Sequence, residues 1–207
     1  MRPLEDYAFL SQLLKSLLIK KLVLSPSSED LWGILQKHPK LVVALNHGPS
    51  MAPSYVDAGL LNLFLRHGGS ERSFVGVVWK PLYAVPGLRQ MAQFITQVEE
   101  PVDFNGFMSL FKSEGVNDFF VMPEGENCTF GNGIDIEPFL SPRFLEIAIS
   151  ADAPVLLAVH HGSHLLANNL AVSDRMQKLF KWFPHRTRDR VEATKNISIP
   201  RWQGRLP

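Results

Sequence analysis

The sequence has one cysteine, Cys128, among its 207 residues, only three tyrosines, and a formal net charge of just +1. A single cysteine cannot close an internal disulfide, so the fold is expected to stand without oxidation and to suit a reducing compartment. No run of about 18 apolar residues occurs, which argues against a transmembrane helix. A secretory leader is not expected either, because Glu5 and Asp6 sit where a positive n-region belongs and no small-residue cleavage site follows. Metal chemistry lacks its usual pattern. His160, His161 and His164 have no spaced cysteine or carboxylate partners, so they read as polar loop histidines and no metal is expected. Internal repeats, low-complexity tracts and a dividing linker are also missing, which leaves one domain over residues 1–207.

With apolar residues at 45% and charged residues at 20%, the chain has the composition of a globular domain. Its near-neutrality is a sum of opposites: residues 175–207 hold nine Lys or Arg and two acids, whereas residues 1–174 hold twelve bases and eighteen acids. A basic tail on an acidic body favours a polyanionic surface as partner. Arg201 beside Trp202 would suit nucleic acid, but no recognised binding motif accompanies the pair, and nucleic acid is not expected.

The amino-terminal 30 residues read as an amphipathic helical segment. Leu10, Leu13, Leu14 and Leu17 follow the spacing of one helical face, with Ser11, Gln12, Lys15 and Ser16 largely on the other. Two readings stand side by side: a helix packing its leucines on the domain's own core, or an interfacial helix with lysines near lipid headgroups. Residues 176–183, with Lys178 and Lys181 among Leu179, Phe180, Trp182 and Phe183, present the same choice between a surface helix and a membrane contact.

Between these ends, apolar runs at residues 41–45, 74–79, 118–122 and 154–159 read as buried strands, with a possible last strand at 196–199. Helical stretches at 54–66, 81–94, 105–113 and 142–151 alternate with them. The expected fold is therefore α/β, a central mixed and mostly parallel sheet flanked by helices. The irregular stretch 126–141 reads as a functional or capping loop.

In such sheets ligands bind where strands end and helices begin. One junction reads Asn46-His47-Gly48-Pro49-Ser50-Met51-Ala52-Pro53, and another Val121-Met122-Pro123-Glu124-Gly125-Glu126-Asn127. A histidine at the end of a buried strand is a reasonable general base. Taken in order, Asn46-His47, Trp79-Lys80-Pro81-Leu82 before a Pro86-Gly87 break, Pro123-Glu124-Gly125 and Ala153-Pro154-Val155 resemble the motifs of the lysophospholipid and glycerol-phosphate acyltransferase superfamily. The resemblance covers residues 41–159, the motif-bearing core. It implies transfer of a fatty acyl group from acyl-CoA or acyl carrier protein, as co-substrate and without a cofactor, to a lysolipid or other lipid-like hydroxyl. It further implies His47 as general base, and Pro123, Glu124 and Gly125 as acceptor-binding residues. The setting it implies is cytoplasmic and membrane-peripheral, with anionic lipids contacting the basic tail.

Such chemistry needs a base for the hydroxyl proton, and the base works better when a carboxylate holds the imidazole in one tautomer. In the resembled family an aspartate stands five positions after the histidine. Here that position is Ala52, and the next acid is Asp57, ten positions on. Ten residues of continuous helix rise about 15 Å, too far for a hydrogen bond. A loop that folds back over residues 48–53 would let Asp57 serve as the motif's aspartate. Alternatively, Ser54 and Asp57 form a capping box, and Asp57 has only a helix-start duty.

The arginines associated with phosphate recognition in the family are missing. Glu126-Asn127 replaces the usual Thr-Arg after Pro-Glu-Gly, and residues 94–103 hold three acids and no base. Arginine forks are the usual partners of a phosphate monoester, so a less acidic acceptor than lysophosphatidic acid is expected. Lys80 and Arg143 are the remaining candidate cations. Cys128, close to Glu124 in sequence, is either reactive or merely packed. Two other functions compete with the enzyme reading. One is a non-catalytic lipid-binding or scaffold domain on the same fold. The other is a serine hydrolase using Ser50, since residues 48–52 resemble a GxSxG elbow with Ala52 in place of its last glycine.

Overall fold

The computed structural model describes all residues except 26–27, 50–51, 79, 131–133, 183–184 and 202–207. A 3-10 turn, Leu4–Tyr7, opens the chain, followed by helices α1 (Ala8–Leu18) and α2 (Ser28–Lys37), strand β1 (Leu41–Leu45) and helix α3 (Ala52–Arg66). Strand β2 (Phe74–Gly76) leads through a 3-10 turn, Lys80–Ala84, into α4 (Leu88–Thr96) and α5 (Phe104–Lys112). Strand β3 (Asp118–Val121), a 3-10 turn (Gly125–Phe130), helix α6 (Arg143–Ser150) and strand β4 (Val155–Ala158) complete the core. Another 3-10 turn, Ser163–Leu166, leads to β5 (Ala167–Ala171), α7 (Asp174–Gln177), a 3-10 turn (Lys178–Trp182), α8 (His185–Thr194) and β6 (Asn196–Pro200).

The fold is α/β, as the alternation of elements implies. The central sheet has the order β2-β3-β1-β4 with every pairing parallel, and the antiparallel pairing is confined to a separate β5–β6 ribbon. β1 is buried at all five positions, as expected of a strand covered on both faces. Its pleat sends Leu41, Val43 and Leu45 to a core with Leu35 of α2 and Leu60, Leu61 and Phe64 of α3. Val42 and Ala44 go to the other core, with Phe111 of α5 and Phe144 and Ile147 of α6. The chain leaving β1 thus crosses one face in α3 and the chain leaving β3 crosses the other in α6. A crevice is left between the carboxyl ends of β1 and β3, where open α/β sheets bind ligands.

The opposite end of the sheet is held by charge. Asp118, fully buried, accepts from Arg72 Nε at 2.8 Å and from a terminal guanidinium nitrogen at 2.6 Å, while the third nitrogen donates to the Leu35 and His38 carbonyls. Burial pushes the Asp118 carboxyl above its ordinary value, and Arg72 opposes that shift. Lys40 Nζ donates to the carbonyls of Phe111, Ser113 and Val116, tying α5 to the start of β1.

Helix α1 packs against α3 with Ser11 inward, Asn62 of α3 donating to Gln12 Oε1 at 3.0 Å. Three of its four stripe leucines face outward: Leu10, Leu13 and Leu17 are exposed, Leu17 by 54%, beside Phe9 at 81%. Leu14 is half-buried. Among the described residues no helix is long and apolar enough to cross a membrane.

Candidate active site

The register of the central sheet assembles the site. Ala44 of β1 pairs with Val121 of β3, and Leu45 pairs with Ala158 of β4. Continued past the strand ends, the same offsets place His47 level with Glu124 on one side and His160 on the other. Hydrogen bonds close both seams. The His47 backbone N–H donates to Glu124 Oε1 at 2.6 Å. Asn46 clasps His160 on the other seam: the His160 N–H donates to Asn46 Oδ1 at 2.8 Å, and Asn46 Nδ2 donates to the His160 carbonyl at 3.2 Å. His160 Nε2 lies 2.7 Å from the Asn46 carbonyl, which can only accept, so Nε2 carries the hydrogen.

Glu124 is 1% exposed. Its second oxygen accepts from the Glu137 N–H at 2.7 Å, and the Glu137 carboxylate is in turn paired with Arg190 of α8 at 2.6 Å. The carboxylate of the Pro-Glu-Gly turn is thus a tie between the histidine loop and the 134–140 loop, with both oxygens engaged by backbone. Gly125 follows at φ +52, where an added Cβ would collide with the Leu140 side chain. Gly48 is under a similar constraint. At φ +67 its added Cβ would meet Ser163 Oγ at 2.6 Å and His160 Cε1 at 2.9 Å, so only glycine lets the chain turn under those side chains.

The His47 ring is half-buried. Its Nδ1 lies 2.8 Å from the Gly48 carbonyl and 2.9 Å from Cys128 Sγ, and the Cys128 thiol donates to the Gly125 carbonyl at 3.0 Å. The Gly48 carbonyl only accepts, so Nδ1 holds the hydrogen and Nε2 keeps the lone pair of a base. Burial lowers the imidazole below its ordinary value, partly opposed by the Gly48 carbonyl and by the negative charge of Glu124. His160 is lowered for the same first reason, with His47 and His161 adding repulsion. Both rings are therefore held toward the neutral form, the state a general base requires. A polar pocket opens beside them, lined by Asn46, Gly48, Glu124, Cys128, Ile134, Asp135 and residues 160–164.

The structure thus brings His47, Glu124 and Gly125 together, with Pro123 buried behind them and its carbonyl accepting from Leu140 N–H at 2.8 Å. Asp57 is not brought to His47. It carries no hydrogen bond or ion pair among the described residues. Its carboxyl is pushed up to about 7 by burial, with no opposing partner. The fold-back to a helix start near Ser54 is not observed, because α3 already begins at Ala52. That start places Asp57 in the second turn, beyond the position a capping box requires. Lys80 is exposed on its 3-10 turn and lies outside the pocket lining. Arg143 is exposed at the start of α6, its guanidinium stacked 5.2 Å from the Phe104 ring centroid, and does not reach the pocket. Ser50, on which the hydrolase reading rests, lies outside the described residues, as do Trp79 and Trp202.

Sequence reasoning did not assign site roles to Asn46 and His160. The signal was present: each follows a buried apolar run, as His47 and Glu124 do, but only strand order makes β1 and β4 neighbours. Among the described residues no group of three or more His, Cys, Asp or Glu is arranged to hold a metal ion. No family model, curated protein or solved structure matches the chain.

Proposed function

We propose that this protein is a membrane-peripheral O-acyltransferase in which His47 is the general base. The observation that carries the reading is the bond from the His47 N–H to Glu124. It joins the two motifs on which the family resemblance rests into one site, at the sheet end where such chemistry is housed. In the reaction, His47 Nε2 takes the proton of the acceptor hydroxyl as its oxygen bonds to the thioester carbonyl carbon. The carbon–sulfur bond of acyl-CoA or acyl carrier protein then breaks, and the proton held on His47 passes to the departing thiolate. The acceptor is a lysolipid or another lipid-like hydroxyl compound. No lysine or arginine lines the pocket among the described residues, which supports an acceptor less acidic than a phosphate monoester.

Membrane association is supported by the outward stripe of Phe9, Leu10, Leu13 and Leu17, with Lys20 and Lys21 exposed just beyond it. It is supported too by Leu179 and Trp182, both exposed beside Lys178 and Lys181. Apolar side chains flanked by cations suit an anionic bilayer surface. The second reading, a lipid-binding domain without activity, is favoured by one observation: among the described residues no carboxylate bonds to the His47 ring. One assay separates the two: the protein is incubated with acyl-CoA and vesicles carrying a panel of lysolipids, and free thiol and acylated product are measured. Turnover that disappears in His47→Ala supports the enzyme; vesicle binding with no thiol release from any donor supports the binding domain.

A further inference from the structure

The ring of His47 has an orienting partner, but it is not the carboxylate that its chemistry ordinarily uses. Ala52 stands where that acid would be, and Asp57 makes no contact with the ring. Glu124 is engaged through the His47 backbone rather than through the imidazole. What does touch Nδ1 is the Gly48 carbonyl at 2.8 Å and the Cys128 sulfur at 2.9 Å. Cys128 is 3% exposed and sits in the 3-10 turn directly after Pro-Glu-Gly, so the same turn that ties His47 through Glu124 also carries the sulfur to its ring. Its own hydrogen is directed to Gly125, which leaves sulfur lone pairs toward Nδ1. We propose that Cys128 is a positioning residue for His47, its sulfur and the Gly48 carbonyl together holding the Nδ1–H tautomer and so keeping Nε2 free as the base.

This assignment rests on the acyltransferase reading for its catalytic meaning and on geometry alone for the tautomer. When Nε2 gains a proton, the positive charge on the ring strengthens the Nδ1–H contact with sulfur, so Cys128 favours the imidazolium. Among the described residues, the negative charge of Glu124 acts on the ring in the same direction, while His47 in turn pushes the neighbouring His160 down.

The test is a nitrogen-15 NMR titration of the histidines in the full chain, read beside the pH profile of acyl transfer. The wild-type His47 is expected as the Nδ1–H tautomer. Cys128→Ala should lower its titration midpoint by about half a unit or more and reduce kcat roughly tenfold with little change in KM. Cys128→Ser, close in size and still an acceptor, should stay near wild type, and Cys128→Asp should raise the midpoint. Asp57→Asn should leave it in place. An Nε2–H tautomer in the wild type, the same midpoint in the alanine, serine and aspartate variants, or a midpoint that moves with Asp57→Asn overturns the proposal. So does an acyl adduct on Cys128 that turns over after incubation with donor alone, because the thiol is then a nucleophile. If no acceptor is ever acylated, the acyltransferase reading fails, and the titration still decides the role of Cys128.

Discussion

His47 owes its character to neighbours that hold its backbone and ring separately. Removing the imidazole by His47→Ala is expected to lower transfer by about 10²–10⁴-fold, the range for loss of a positioned general base, with little change in melting temperature. Asp57 is the contrasting case. Its unfolded carboxyl titrates near 4 and its folded one at about 7. Between those values the native state binds a proton that the unfolded chain does not, so stability falls as pH rises through that window. Discounted for the water reaching a half-buried carboxyl, Asp57→Asn should stabilise the protein by about 2 kcal/mol at pH 8 and by almost nothing at pH 4. Denaturant melts at both pH values measure this, and the same variant should retain transfer. For His47 and His160 the sign is opposite. Burial lowers both below their ordinary value, so the unfolded chain takes up protons first, and stability is lost as pH falls through about 6.5. Gly48→Ala meets both the wrong backbone region and two side chains, and about 1–3 kcal/mol of stability should go with it, along with transfer.

At the scale of elements, most of the alternation was legible. β1, β3 and β4 fall within the apolar runs that announce them; β1 is apolar throughout because both its faces are covered, whereas β4, at the sheet edge, leaves Leu157 71% exposed. β2 is shorter than its run, Phe74–Gly76 rather than 74–79. The helical stretch at 81–94 divides at Pro86-Gly87, where Gly87 takes φ +84, a conformation that suits glycine and interrupts a helix. In α1 the periodicity identified the apolar stripe but not what would cover it. The structure turns most of that stripe outward, because the opposite side, Ser11 with Gln12, meets α3. Leu13→Glu with Leu17→Glu is therefore expected to leave the melting temperature nearly unchanged while weakening binding to anionic vesicles at least tenfold, each buried leucine contributing about 1.5–3 kcal/mol. Sedimentation with vesicles reads the loss directly; unchanged partitioning would remove α1 from the membrane contact.

Across the whole molecule, the two ends of the sheet do different work. The amino-terminal end is locked by Arg72 and Asp118. Arg72→Ala leaves a buried carboxylate without its cation and should cost about 3–5 kcal/mol, measurable by denaturant titration. The carboxyl-terminal end holds a polar pocket, and the basic tail is joined to it, since Arg190 of α8 reaches Glu137 and, through that residue's N–H, Glu124. Part of the tail's charge is thus spent within the molecule, while Arg175, Lys178 and Lys181 stay exposed.

The sequence by itself determined the class of fold, the identity of the central strands, and the two strand-end junctions, Asn46-His47 and Pro123-Glu124-Gly125, that the fold joins. These are consequences of local pattern: period, apolar content, and the turn residues that end a strand. Only the tertiary structure decided which residues meet there. Spacing along the chain pointed from His47 to Asp57, ten residues away. The parallel register instead set His47 beside Glu124, His160 and the sulfur of Cys128, residues that lie 77 to 114 positions from the histidine loop. Strand order and register arise from the packing of two cores against one sheet, and no local pattern encodes them.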